Sequence, residues 1–190
     1  MSLATDNDTI VNANADQEPL IARRHSPLPP PQQPPLGIVV HPKNRTKAPY
    51  VIRAWAAVTP EERMAGLQFQ TDLAEDCGLL FVFPGTYFWA MWMQNTPIPL
   101  DIVFLQSQFT SDGVGVLKVV EVCSGEPHSL TSIIPKATCD MVLEVPAGTF
   151  GFEERRDRGV DHMTVSGYQT ALLRAVRTTQ NPNPFGSDSE

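Results

Sequence analysis

Short apolar runs, each closed by a turn signal, occupy residues 50–165 and limit what this chain can fold into. Tyr50 to Val58 reads as a strand, with Val51 and Trp55 on the face opposite Ile52. Leu79 to Phe83 is a continuous apolar run followed by Pro84-Gly85, the pattern of a buried strand and a turn. Tyr87 to Met93 and Leu100 to Gln106 read as two further strands, separated by the corner Asn95-Thr96-Pro97-Ile98-Pro99. Asp112-Gly113 is a hairpin signal leading into Val114 to Val122. Met141 to Val145 is stopped by Pro146 and Gly148, and His162 to Val165 is a last candidate strand. Strands this short are stable only when closure or stacking hides their edges. The fold class expected is therefore mostly β: a small barrel-like or sandwich domain of about six to eight short strands with one or two short helices.

One helix is signalled between the first two strands. Thr59-Pro60-Glu61-Glu62 has the form of a capping box, with threonine as N-cap, proline at the first helical position and glutamate at the third. Gly66 is placed to end that helix in a left-handed conformation.

Outside this region the composition changes. Nine of the 18 prolines precede Tyr50, most of them between Pro27 and Pro35. Proline fixes φ and lacks an N–H, so this tract favours extended polyproline II over a helix or central strand. The organisation expected is a disordered, proline-rich tail over 1–49, a β-rich domain over 50–165, a C-terminal helix over 166–180 and a disordered tail over 181–190. The helix follows from the spacing of Leu172, Leu173 and Val176. Arg24, Pro27 and Pro30 satisfy the basic-x-x-P-x-x-P pattern of an SH3-like partner's ligand. A semi-rigid spacer is the competing reading of so proline-rich a segment.

Charge narrows the function classes. Residues 50–165 carry 7 basic and 15 acidic side chains, a net of −8, so the negative charge of the whole chain resides in this domain. An acidic domain repels phosphate backbones, and nucleic acid is not an expected partner. Cys77, Cys123 and Cys139 form no C-x-x-C pair, and an odd count leaves a free thiol, which suits a reducing compartment. No apolar run has the length of a membrane span, and residues 1–20 lack the basic start and apolar stretch of a secretory signal. A soluble, cytoplasmic protein is the default expectation. His25, His41, His128 and His162 have no metal-ligand spacing to one another or to the cysteines, and no glycine-rich phosphate loop or G-x-S-x-G is present. No metal and no cofactor is expected.

Two carboxylates stand out because apolar neighbours flank them. Asp101 shares a strand face with Val103 and Leu105, and Glu144 shares one with Val142. A carboxylate in such a setting costs free energy unless it is hydrogen-bonded or paired with a charge.

The blocks that carry these residues resemble a known family. Gly66-Leu67, Gly78-Leu79-Leu80-Phe81-Val82-Phe83, Trp92-Met93-Gln94-Asn95-Thr96 with Pro99-Leu100-Asp101-Ile102-Val103-Phe104, and Val142-Leu143-Glu144-Val145-Pro146-Ala147-Gly148 occur in the order and approximate spacing of domain of unknown function 192. The resemblance covers about Ala54 to Gly159. It implies a compact, barrel-like β domain and brings no established activity. This chain has Met91 where the family usually has phenylalanine, and Gln94 where it usually has lysine or arginine.

Three functions remain open at this level. Trp92, Gln94, Asn95, Thr96, Asp101 and Glu144 are candidates to line one concave site that binds a small polar or extended ligand without catalysis. Asp101 and Glu144 are the candidate catalytic pair of a carboxylate-dependent hydrolase, should the two carboxyls lie about 5–10 Å apart. The proline-rich tail is the working part if the protein is an interaction scaffold. Against all three stands a structural role for Asn95 and Asp101, since short polar side chains at corners commonly bond the local backbone.

Overall fold

The computed structural model describes residues 36–110, 114–150, 160–166 and Leu173. Seven strands close into a barrel: β1 (Leu36–Pro42), β2 (Tyr50–Ala57), β3 (Cys77–Tyr87), β4 (Leu100–Phe109), β5 (Val114–Gly125), β6 (Cys139–Pro146) and β7 (Val160–Ser166). Around the barrel the order is β1-β2-β3-β6-β4-β5-β7, with β7 returning to β1. Every pairing is antiparallel except β2 with β3. A parallel pair cannot be joined by a tight turn. Residues 58–76 supply the crossover, and they contain the helix α1 (Pro60–Ala65).

The strand runs are apolar for two different reasons. On the inner face, side chains from all seven strands fill the barrel, among them Ile38, Ile52, Leu80, Val103, Leu117, Leu143 and Met163. On β3, β4 and β6 the outer face is buried too. Leu79, Phe81, Phe83, Ile102, Phe104 and Val142 pack there beneath Met91 and Met93. These three strands therefore read as continuous apolar runs, whereas β1 and β2 alternate.

Three expectations are corrected. Order begins before Tyr50: β1 lies within the segment read as tail, and it pairs with both β2 and β7. Tyr87 to Met93 is not a strand. Burial alternates along it, with Met91 and Met93 buried and Phe88 and Trp92 exposed, but its ladder consists of one bridge, Met91 to Ile133. Pro84-Gly85 does not end β3, which runs on to Tyr87 through a register shift after Val82.

The capping box is present in full. Thr59 Oγ1 accepts from the Glu62 N–H at 3.2 Å, and Glu62 Oε2 accepts from the N–H groups of Thr59 and Val58 at 2.9 and 2.8 Å. Gly66 stops α1 at φ 49°, ψ −137°; φ is positive as expected, but ψ departs from the left-handed helical value. The proline tract, Asp112-Gly113 and the tail from 181 lie outside the described residues. So does the proposed terminal helix apart from Leu173, which is helical and packs in the barrel core. Among the described residues no helix is long and apolar enough to cross a membrane.

Candidate functional site

The crossover and the segment 88–99 meet over the outer face of β3 and β6. Their contact depends on two residues with positive φ, Phe69 at 63° and Asn95 at 56°. The Phe69 N–H donates to the Asn95 carbonyl at 2.7 Å, and the Asn95 amide donates to Gln68 Oε1 at 3.1 Å. Asparagine tolerates this conformation better than most residues, so its place at the corner has a backbone reason. Trp89 closes the far end, stacking on Phe83 at 4.3 Å between centroids and donating its indole N–H to the Gly85 carbonyl.

Beneath this contact lies a cavity of about 290 Å³. Its floor is Phe81, Phe83 and Glu144, and its walls come from α1 and the following turn (Arg63, Gln68) and from the loop (Gln94, Thr96). Met64 and Trp92, 65% and 47% exposed, stand at the rim. The Arg63 guanidinium is held by the carbonyls of Val58 and Val82, the latter at 2.9 Å, and lies 5.5 Å from the Phe83 ring centroid.

Glu144 is the unusual member. It is 4% exposed, and no hydrogen bond or ion pair to another described residue reaches its carboxyl group. Its in-register neighbours, Leu79 on β3 and Ile102 on β4, offer no polar atom from their side chains. Burial pushes its pKa from 4.5 up to about 8, so at neutral pH the group is mainly a neutral acid facing the cavity.

Asp101 lies on the other side of the same strands. It pairs with Val145, whereas Glu144 pairs with Ile102, so the two carboxyls project from opposite faces of the sheet. Asp101 is 1% exposed, and both its oxygens are used: Oδ1 accepts from the Gly148 N–H at 3.1 Å and Oδ2 from the Phe150 N–H at 2.7 Å. It fastens the turn after β6 to the barrel end. The expected single site of six residues is thus divided. Trp92, Gln94, Thr96 and Glu144 line the cavity, Asn95 braces the loop from behind, and Asp101 is elsewhere. The two members of the expected hydrolase pair stand on opposite faces of the sheet.

The sequence reading missed Arg63, Met64, Gln68, Phe81 and Phe83 as lining residues. The capping box located α1 but gave no sign of what the helix covers. Met64 was the available signal, as an apolar residue in a six-residue helix that buries no side chain. The three cysteines are free, and burial raises the pKa of each, Cys139 to about 11. They are held as thiols, the less nucleophilic form. Among the described residues no group of three or more His, Cys, Asp or Glu side chains is arranged to hold a metal ion.

Comparison with known proteins places this barrel among uncharacterised relatives. The model of DUF192, described as an uncharacterized ACR, matches residues 41–154. Two crystal structures share the fold. One is a provisionally named transcription regulator from Sinorhizobium meliloti, 27% identical with a TM-score of 0.55, covering 69% of this chain and 92% of that one. The other is a protein of unknown function from Novosphingobium aromaticivorans, 25% identical with a TM-score of 0.54, covering 67% and 82%. No curated protein sequence matches.

Proposed function

The chain belongs to the DUF192 family, and from that premise we propose that its barrel is a non-catalytic binding domain whose small ligand occupies the cavity over Glu144. One observation carries the reading: the Glu144 carboxyl opens into a cavity, and no described residue hydrogen-bonds to it. The described residues bury no side-chain N or O atom without a partner, so the Glu144 oxygens stay accessible from the cavity, where a ligand can complete their hydrogen bonding. The cavity is at the small end of the range for ligand sites and has their usual character, apolar walls with a few convergent polar groups. Its second carboxylate is absent, since Asp101 serves the opposite face, and acid/base hydrolysis therefore gains no support from this geometry. The acidic charge of residues 50–165 favours a small ligand over a nucleic-acid backbone.

Thermal unfolding of the full chain against a panel of small polar molecules tests the proposal. A ligand at a hundred times its Kd should add about 2.7 kcal/mol of stability. Trp92→Ala, at the rim, should reduce that gain without unfolding the protein. A flat response across the panel, with the variant indistinguishable from the parent, would remove the reading.

A further inference from the structure

Resting on that binding reading, we infer that the ligand is a small organic cation, an ammonium or guanidinium group on a short aliphatic stem, whose charge is neutralised by Glu144. The inference follows from what the cavity contains and what it lacks. Glu144 brings two carboxyl oxygens to the floor, and no described residue donates to either. Among the lining residues the other charged side chain is Arg63; its guanidinium donates to the carbonyls of Val58 and Val82 and forms no ion pair with Glu144. Around Glu144, β3 contributes Leu79 and β4 contributes Ile102, while the loop adds the uncharged Gln94 and Thr96. Among the described residues no cation pairs with the carboxyl, and the position complementary to it lies inside the cavity.

The remaining walls suit such a guest. Phe81, Trp92, Met64 and Met91 offer polarisable apolar surface to a hydrocarbon stem, and aromatic rings tolerate a neighbouring cation. Phe83 already has the Arg63 guanidinium beside its ring. An anionic guest would meet Glu144 on the floor and the field of an acidic domain at the mouth. Cations are drawn in by the same field.

Binding and protonation are then linked. In the empty cavity Glu144 holds a proton up to about pH 8, and a cation binds best once that proton has left. At pH 6.5 each bound cation should expel about one proton. Affinity should rise about tenfold per pH unit below pH 8 and level off above it.

The test is calorimetric titration of the full chain with n-pentylammonium, n-pentanol and pentanoate, between pH 6 and 9. An alkylammonium loses its proton near the lysine value of about 10.4, so this probe stays charged throughout. The expected result is selective binding of the amine with the stated pH slope. At pH 6.5 the observed heats in phosphate and Tris should differ by the difference between the two buffers' ionisation heats for one proton. Glu144→Gln should lower amine affinity at least tenfold and flatten the pH profile; should that variant not fold, the buffer dependence of the parent decides by itself. Binding of pentanol as tight as the amine, without pH dependence, would overturn the cation and leave the pocket standing. Binding of pentanoate in preference would do the same. If none of the three binds and the wider panel is also flat, the pocket reading falls and the cation with it.

Discussion

Asp101 and Glu144 lie on neighbouring strands of one sheet and are almost equally buried, yet the protein treats them oppositely. The oxygens of Asp101 accept two backbone N–H groups from the turn after β6. The carboxyl of Glu144 receives no hydrogen bond from the described residues and retains its proton up to about pH 8. Asp140 follows Asp101, accepting from the N–H and hydroxyl of Ser107 at 2.9 and 3.0 Å. A buried acid whose hydrogen bonds are complete is a structural fastener. One left open at the floor of a cavity is available to whatever enters it from outside the chain.

The sharpest way to break the comparison is Asp101→Ala. It leaves the N–H groups of Gly148 and Phe150 buried without an acceptor and should cost roughly 4 kcal/mol in denaturant unfolding. A loss below about 1 kcal/mol would mean that Asp101 is no more structural than Glu144.

Glu144→Gln should move stability the other way, and its sign depends on pH. The folded pKa is raised, so the contribution of Glu144 is fully present below its ordinary value of 4.5 and is lost as pH rises through about 8. The parent should therefore lose about 2 kcal/mol relative to Glu144→Gln between pH 6 and pH 8. Parallel pH profiles for the two proteins would show that Glu144 is solvated or paired after all.

Thr59→Ala has a smaller expected effect. Removing the N-cap of α1 should cost about 1 kcal/mol. Because α1 walls the cavity and does not touch Asp101, the change should also weaken ligand binding. Smallest is Asn95→Gly, which keeps the positive φ and loses the bond to Gln68; its unfolding midpoint should stay close to the parent's, whereas Asn95→Ala should cost about 1 kcal/mol more. Equal midpoints for the glycine and alanine variants would remove the backbone account of Asn95.

Both acids were legible in the sequence as anomalies, since each interrupts an apolar strand. Their difference was not legible. Asp101 is satisfied by residues 47 and 49 positions away, a pairing that only the register of β4 against β6 creates. Strands buried on both faces were readable from their unbroken apolar runs. Leu36, Ile38 and Val40 alternate as β1 requires, but the prolines on either side gave the segment the look of a tail. Tyr87 to Met93 misled in the reverse way. Its alternating burial is real, yet a strand also needs a partner along its length, and local pattern cannot report that.

The seam of the barrel joins His41 to Thr164 by a hydrogen bond across 123 positions of sequence. During synthesis β1 is made first and its partner β7 last, so closure waits until residue 166 has left the ribosome. Until then β1 and β5 each carry an unpaired edge open to other chains. Contacts this distant in sequence also fold slowly, in milliseconds to seconds for barrels of this kind. The time at greatest risk of aggregation is therefore before the last strand arrives, and expression yield should respond to the rate of translation as well as to the stability of the finished barrel.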